Sequence, residues 1–256
     1  MLTVTPLPAF QDNYIWTLSA RGRVVIVDPG DAGPVEDFLD RNGGELEAIL
    51  VTHHHRDHTG GLARLAERTA CRVVGPSGVT AVTEVVRGGE RVILPGSALE
   101  FAVFATPGHT LDHLAYYGAR HLFCGDTLFG AGCGRLFEGT PTMMVTSFAR
   151  LLALPDDTLV CPAHEYTLAN LDYAATVDPD NSALRQRIAI DRAARAADRP
   201  TLPSTLALEK ATNPFLRTGT PALRLVATRD LGRPPHDEAE AFGTLRAHKD
   251  RYDAAH

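Results

Sequence analysis

The segment Thr52–His58, with the sequence THHHRDH, constrains this chain more than any other feature. It follows directly on the apolar run 48–51, which predicts a short β-strand. Side chains two positions apart project to the same side of an extended segment. We therefore expect one cavity to be faced by His53, His55 and Asp57, and also by His58 if the chain turns, which Gly60 permits.

These residue types indicate a metal site. Imidazole nitrogens and carboxylate oxygens are ligands that zinc, iron and manganese accept. Three adjacent histidines with an acidic neighbour have no packing role, which disfavours a mere exposed loop. Further ligands for two metals must come from elsewhere, and the candidates His109, Asp126 and His164 each follow a predicted strand. Taken singly, each would by default be a surface or turn residue, so the histidine-rich run decides the interpretation.

The pattern of apolar positions predicts two domains. Strands are predicted at 24–27, 48–51, 71–74, 101–104, 121–124 and 158–161, and helices at 62–68 and 145–154. Helices then dominate, at 168–176, at 182–197 with Asp180 or Asn181 as N-cap, and at 237–252, whereas 200–221 breaks the periodicity. We predict an α/β domain over residues 1–165 and a smaller helical domain over 166–256.

Composition excludes several classes of protein. A net charge of −6 argues against a nucleic-acid binder that works through bulk positive charge. No apolar run approaches the ~20 residues that a membrane-spanning helix needs, and the start has no basic segment typical of a signal peptide. The cysteines form no C-x-x-C pair, which predicts reduced thiols in a cytoplasmic protein; they are Cys71, Cys124, Cys133 and Cys161.

THHHRDH resembles the T-H-x-H-x-D-H signature of the metallo-β-lactamase superfamily, and the later ligand candidates follow in the superfamily's order. A closer resemblance, to glyoxalase II, the hydroxyacylglutathione hydrolases, spans nearly the whole chain. It rests on QDNYIW at 11–16, TPGHT at 106–110, GDTLFGAGCGRLFEG at 125–139, CPAHEYTLANLDYA at 161–174, NPFLR at 213–217 and RAHKDRYD at 246–253. The first signature gives only the superfamily, whereas GCGRLFEG, HEYT and the basic C-terminal helix are specific for the family.

The resemblance implies a fold and a metal centre. The fold is α/β, an αββα sandwich with two mixed β-sheets between helices, and a smaller helical domain that binds glutathione. Two divalent metals are implied, with zinc preferred over iron or manganese. His53, His55 and His109 would hold one metal, Asp57, His58 and His164 the other, and Asp126 would bridge both. His54 and Arg56 would not be ligands. Asp112 departs from the glycine of many members (TPGHTxGH), which affects the shape of the His109 loop.

The implied reaction is hydrolysis of S-D-lactoylglutathione to glutathione and D-lactate, the second step of methylglyoxal detoxification. Two metals lower the pKa of a shared water from ~15.7 to about 7, and Asp57 would orient the resulting hydroxide. Cys133 is interpreted as structural, because this chemistry needs no thiol nucleophile. The resemblance also implies a glutathione site, formed by Arg135, Phe137, Tyr166, Arg246 and Lys249.

The roles of three residues in that glutathione site need separate comment. On spacing alone, Arg246 and Lys249 indicate only a solvated face of a helix, and the family position reverses this interpretation. Phe137 stands where some members have tyrosine, so a hydroxyl contact to the substrate would be missing, at a cost of about 1 kcal/mol.

Two other functions compete with this hypothesis. The first is another chemistry on the same fold, such as a persulfide dioxygenase with one iron, a lactonase or a β-lactamase. The GCGRLFEG segment and the C-terminal R-x-x-K pattern disfavour the dioxygenase. The second is a non-catalytic protein that stores metal or binds a partner, which the complete set of ligand candidates disfavours. We expect a small-molecule substrate, no nucleic-acid or membrane partner, and a monomer.

Overall fold

The β-branched runs near residues 25 and 50 become neighbouring parallel strands whose apolar side chains are buried. A computed structural model describes residues 1–255 and divides into two compact units. Unit 1 comprises residues 1–106, 112–125 and 161–164, and unit 2 comprises 107–111, 126–160 and the part of the chain from 165 onward.

Unit 1 holds most of the strands. Its elements in chain order are β1 (Thr3–Ala9), β2 (Asn13–Ala20), β3 (Arg23–Val27), α1 (Ala32–Asn42), β4 (Glu45–Leu50), α2 (Arg56–Thr59), α3 (Leu62–Thr69), β5 (Arg72–Gly75), β6 (Glu84–Val85), β7 (Arg91–Leu94), β8 (Leu99–Ala105), β9 (Leu114–Gly118) and β10 (His121–Gly125).

The first sheet of unit 1 has the order β1-β2-β3-β4-β5-β6. Its first two pairings are antiparallel and the remaining three are parallel, so the sheet is mixed. Helices α1 and α3 make the crossovers that parallel neighbours require. Strands covered on both faces have continuous apolar runs, which is why β3 and β4 were predictable from sequence.

The second group of strands in unit 1, in the order β10-β9-β8-β7, pairs antiparallel throughout. It packs against the first sheet through aromatic side chains. The Trp16 and Phe123 rings meet edge to face with centroids 6.3 Å apart. The buried hydroxyl of Tyr116 donates to the carbonyl of Val51 at 2.7 Å, so the one polar atom that this ring carries into the core is satisfied.

The carboxyl ends of the parallel strands meet at one edge of the first sheet, and this edge positions the candidate site. The backbone N–H of Asp28, directly after β3, donates to the carbonyl of Leu50 at the end of β4 (3.0 Å). Thr52 follows β4, and its N–H donates to Asp28 Oδ1 at 2.8 Å. The histidine-rich run therefore leaves the sheet at the edge where ligand sites of α/β sheets occur.

Unit 2 is mostly helical. Its elements in chain order are β11 (Leu128–Phe129), β12 (Gly132–Cys133), α4 (Pro141–Leu152), β13 (Leu159–Pro162), α5 (Thr167–Val177), α6 (Ser182–Ala196), β14 (Ser204–Thr205), α7 (Leu206–Thr212), a 3₁₀ turn (Pro214–Leu216), α8 (Pro221–Leu231) and α9 (Glu238–Ala255). Strand β13 begins in unit 2 and ends in unit 1. Among residues 1–255, no helix is both long and apolar enough to cross a membrane.

A buried ionic network organises the centre of unit 2. Arg187 donates to Glu209 Oε1 at 2.7 Å and to Asp191 Oδ2 at 3.1 Å. Glu209 also accepts the backbone N–H of Ala131 (2.9 Å). Buried charges are tolerated when they are paired and hydrogen-bonded, so this network fixes the loop between β11 and β12.

The structure confirms every predicted strand and helix within a few residues, and Asn181 is the N-cap of α6, where it accepts from Leu184 N–H. Helices α1, α7 and α8 are among the elements that the sequence did not predict, and of these only α7 lies within 200–221, where the apolar periodicity breaks. Pro221 occupies the first turn of α8, where a missing N–H costs nothing. Strand β1 tolerates its prolines because it lies at the sheet edge.

Candidate metal centre and substrate cavity

The histidine-rich run leaves β4 in extended conformation and turns at Arg56, where α2 begins. His53 Nε2 lies 3.0 Å from His55 Nδ1, so the predicted i, i+2 relation is confirmed for this pair. Asp57 and His58 belong to the helical turn instead of continuing the extended segment. The turn brings His58 Nε2 to 3.4 Å from Asp57 Oδ2.

His164 completes a cluster within unit 1. Its Nε2 lies 3.3 Å from the same Asp57 oxygen, and Ala163, just before it, accepts the Tyr14 N–H at 2.7 Å. Asp57, His58 and His164 each offer one ligand atom, and these atoms lie within 4.8 Å of one another. One carboxylate and two imidazoles form a donor set that fits zinc, iron or manganese.

The two histidines of this cluster are each held by a carboxylate on the far ring nitrogen. His58 Nδ1 lies 3.1 Å from Asp28 Oδ2, and His164 Nδ1 lies 2.8 Å from Asp12 Oδ1. When each Nδ1–H donates to its carboxylate, Nε2 presents a lone pair toward Asp57. Such outer carboxylates orient metal-binding histidines and raise their basicity.

Asp57 is ionised at neutral pH. Burial raises the pKa of Asp57, but its contacts with His164 and His58 outweigh the effect of burial and hold the pKa well below the usual range. Asn13 Nδ2 adds a further donor, at 3.0 Å from Asp57 Oδ2. The backbone at Asp57 is tightly packed, because a Cβ at Gly30 would collide with the Asp57 carbonyl.

His54 is turned toward Asp112 in unit 1. Its Nδ1 lies 3.0 Å and 3.1 Å from the two carboxylate oxygens of Asp112. Asp112, which stands where many family members have glycine, therefore contacts His54, which was predicted not to be a metal ligand.

The other two ligand candidates lie together in unit 2. His109 Nε2 is 3.3 Å from Asp126 Oδ2, and His109 Nδ1–H donates to the Arg135 carbonyl at 2.8 Å. A Cβ at Gly134 would collide with the Asp126 carbonyl and lie 2.9 Å from His109 Nδ1. The second glycine of GCGR is thus required by close approach of the backbone to this pair.

A cavity of about 420 Å³ opens beside His109 and Asp126 in unit 2. It brings together all of the residues predicted to bind the substrate. Its lining consists of His109, Asp126, Phe129, Cys133, Gly134, Arg135, Phe137, Tyr166, Ala169, Asn170, Arg246, Lys249 and Asp253. The Phe137 ring is 63% exposed and packs edge to face on His109, with centroids 5.2 Å apart.

Arg246 and Lys249 do not form a solvated face, since each is only 4% exposed. Arg246 Nη1 donates to the Cys133 carbonyl at 2.9 Å. Lys249 Nζ pairs with Asp253 and lies 5.4 Å above the Tyr173 ring. Burial lowers the pKa of Lys249, and the hydrogen bond to Asp253 opposes that shift. Two buried cations in one cavity are suited to an anionic ligand.

Cys133 also lines the cavity, but its thiol is not activated. Burial raises the pKa of Cys133 to about 11, although the charge of Arg246 lowers it. A thiol with this pKa is protonated at neutral pH and is a poor nucleophile, in agreement with its interpretation as structural.

Comparison with known proteins identifies two families along the sequence. The family described as hydroxyacylglutathione hydrolase C-terminus matches residues 165–252, and the metallo-beta-lactamase superfamily matches 11–84 and 78–164. A hydroxyacylglutathione hydrolase of Thiobacillus denitrificans is 56% identical over 99% of this chain and 100% of its own length. The chain belongs to the hydroxyacylglutathione hydrolase family.

Solved structures agree with the fold of this hydroxyacylglutathione hydrolase family member. ETHE1 from Myxococcus xanthus superposes with a TM-score of 0.66 at 24% identity, over 97% of this chain and 98% of its own. TTHA1623 in a di-iron-bound form gives a TM-score of 0.59 at 25% identity, over 84% of this chain and all of its own. The predicted metallo-β-lactamase sandwich with a helical C-terminal region is confirmed.

Sequence reasoning missed the residues that hold the histidines. Asp28 follows directly on the predicted strand at 24–27, and Pro29 and Gly30 after it are typical of a turn. Asp12 and Asn13 were noted only as part of the family's QDNYIW segment. Each of these lies at an end of a strand of the first sheet, and that position was the signal available in the sequence.

Proposed function

We propose that this protein is a metal-dependent thioester hydrolase that converts S-(2-hydroxyacyl)glutathione, such as S-D-lactoylglutathione, to glutathione and a 2-hydroxy acid. The cavity of unit 2 is the observation that carries this proposal, because buried Arg246 and Lys249 share it with His109 and Asp126. Glutathione has two carboxylates, and buried cations pair with such groups. Membership of the family supports the same reaction.

We propose that two divalent metals bind, with zinc preferred over iron or manganese. The first would be held by His53, His55 and His109, the second by Asp57, His58 and His164, and Asp126 would contact both. Bound metals lower the pKa of a water molecule and polarise a carbonyl group. The donor chemistry of the unit 1 cluster supports a divalent metal, and the di-iron-bound form of TTHA1623 supports a pair of metals.

The chain's own residues would prepare the centre for that chemistry. Asp12 and Asp28 would accept the Nδ1–H groups of His164 and His58, which would leave the Nε2 atoms free to bind a metal. Asp57, ionised and fixed by Asn13, would accept a hydrogen bond from the attacking water and orient it. Positioning of this kind contributes to the rate because the water need not be ordered at the moment of reaction.

The cavity would bind the tripeptide part of the substrate. Arg246 and Lys249 would pair with its carboxylates, with Arg135 and Tyr166 as further polar contacts. The exposed Phe137 ring offers an apolar surface beside His109 and no hydroxyl. A glutathione thiolate is a good leaving group, so no separate general acid is required.

We further propose that residues 1–165 form the catalytic domain and 166–256 the glutathione-binding domain. The match of two different families on either side of residue 165 supports this boundary. A monomer in the cytoplasm remains our proposal for the state of the protein, and four free cysteines are compatible with that compartment. Size-exclusion chromatography with light scattering tests the monomer.

The proposed function is tested with two substrates that share one thioester. S-D-lactoylglutathione carries both carboxylates, whereas S-D-lactoyl-N-acetylcysteamine carries neither. We expect kcat/KM to be about 10²-fold higher for the glutathione thioester, since two charged contacts are lost with the shorter carrier. Equal values would refute the glutathione assignment. Hydrolysis of a lactone instead, or oxygen consumption with a persulfide, would indicate another enzyme of the superfamily.

A further inference from the structure

The cations of the unit 2 cavity converge on one carboxylate of the same chain, that of Asp253. Its Oδ1 pairs with Lys249 Nζ, and its Oδ2 lies 3.7 Å from Arg246 Nη2 and 3.9 Å from Arg135 Nη2. Asp253 also forms part of the cavity lining. A carboxylate at the meeting point of three cations occupies the place that suits an anionic group of a ligand.

Asp250, one turn earlier on α9, differs from Asp253 in this respect. It also pairs with Arg246 Nη2, at 3.1 Å, and with Arg135 Nε, at 3.5 Å. The cavity lining, as far as residues 1–255 describe it, includes Asp253 but not Asp250. The same cations therefore have one carboxylate outside the cavity and one within it.

Asp253 holds the two arginines loosely. Separations of 3.7 Å and 3.9 Å exceed hydrogen-bonding distance. Arg246 is 4% exposed, and its Nε forms no hydrogen bond with any residue from 1 to 255. A buried donor without a hydrogen bond costs free energy. A ligand carboxylate that accepts from Arg246 Nε would therefore be favoured over the carboxylate of Asp253.

We propose that Asp253 is an internal competitor, which occupies the anion subsite of the cavity and is displaced when a carboxylate of the substrate binds. The inference rests on the proposed function, because it takes the displacing anion to be a glutathione carboxylate. Asp253 would then weaken the binding of substrate and product, because each must displace its carboxylate from the three cations. Glutathione would also dissociate faster after the reaction. The rival role, a counter-ion that merely keeps Lys249 buried and charged, predicts the opposite sign.

The test is the Kd of S-methylglutathione, a thioether that cannot be hydrolysed, measured by calorimetry on the metal-loaded protein. Asp253→Asn keeps the shape of the side chain and removes its charge. We expect it to tighten binding by about 5-fold to 10-fold, equivalent to one charged contact no longer opposed. Asp250→Asn is the matched control, since it removes the same charge from the same helix outside the cavity, and we expect no tightening.

Several results would overturn the inference. Unchanged or weaker binding by Asp253→Asn at an unchanged melting temperature would assign Asp253 the counter-ion role. An equal decrease in Kd for Asp253→Asn and Asp250→Asn would show that the effect comes from net charge and not from displacement of Asp253. If Asp253→Asn does not fold, Asp253→Ser carries the same expectation.

A second probe separates this inference from failure of the proposed function. If wild-type protein neither binds S-methylglutathione nor hydrolyses glutathione thioesters, the proposed function is refuted but the inference on Asp253 is not. Sulfate binding at low ionic strength would then decide the inference: tighter binding by Asp253→Asn than by wild type supports the competitor, and equal or weaker binding refutes it.

Discussion

The ligand cluster of unit 1 and the cavity of unit 2 treat charge in opposite ways. In the cluster, the Nδ1 atoms of His58 and His164 contact carboxylates, and the Nε2 atom of each ring faces Asp57. In the cavity, Arg246 and Lys249 present their charged tips inward and meet an internal carboxylate there. The first arrangement is suited to a cation and the second to an anion.

In our proposal, the residues that bind glutathione are therefore different from those that hold the metals and orient the water. Changes in the cluster should then affect turnover and metal content, whereas changes in the cavity should affect affinity for glutathione. A variant that lowers both metal content and affinity for glutathione would contradict this separation.

The largest effect is expected at Asp57, which in our proposal both binds a metal and orients the attacking water. Asp57→Asn should reduce turnover by about 10³-fold, because a neutral amide is a poorer ligand and acceptor. Metal content by mass spectrometry should fall, while the Kd of S-methylglutathione should stay within about 2-fold. Asp37→Asn, on the exposed side of α1, is the control. Loss of glutathione binding in parallel with turnover would contradict the separation.

The converse variant is Arg246→Gln in the cavity. Removing one partner from a buried, hydrogen-bonded charge contact costs 2–5 kcal/mol, so KM should rise by about 10²-fold. Metal content should not change, and kcat should fall much less than KM rises. Arg251→Gln makes the same substitution at an exposed position of α9 and should leave KM unaltered. A fall in kcat with constant KM would show that Arg246 acts on the reaction instead.

A smaller effect is expected at Asp28, which holds His58 from outside the cluster. Asp28→Asn should weaken metal binding by 10-fold to 100-fold, the usual cost of losing an outer carboxylate. Competition with a chromophoric chelator measures this affinity. Undiminished affinity would mean that Asp28 serves only the fold, through its bonds to Thr52.

The smallest effect is expected at Cys133, in the lining of the cavity. Because its pKa is raised to about 11, the thiolate is scarce at neutral pH, and alkylation by iodoacetamide should accelerate as the pH rises toward that value. Cys133→Ala should keep kcat/KM within about 3-fold, because it keeps the 2.9 Å bond from Arg246 to the backbone carbonyl and removes only the longer 3.8 Å contact to Sγ. Loss of turnover in this variant would show that Cys133 takes part in the reaction.

The two regions also differ in how far the sequence predicted them. Four of the metal-ligand candidates lie within the single run 53–58, so their proximity follows from local spacing. The outer carboxylates Asp12 and Asp28 could not be found in this way, because the pairing of strands brings them to the histidines. Helix α2 was also missed, since the run was treated as extended through Asp57.

The cavity could be predicted only through resemblance to the family. Its members are scattered between His109 and Asp253, and no local pattern connects them. Spacing on α9 suggested a solvated face for Arg246 and Lys249, but packing against Phe215 and Tyr173 buries both side chains. Burial of this kind depends on tertiary contacts, which a helical period alone does not specify.

Turnover of S-D-lactoylglutathione as a function of bound metal is the decisive test of metal-dependent thioester hydrolysis. Chelator-stripped protein is titrated with zinc, and loss of thioester absorbance is recorded against metal per chain. We predict no turnover in the stripped protein, a maximum at two metals per chain, and recovery on re-addition after stripping. Turnover without metal, or two bound metals without hydrolysis, would contradict the account.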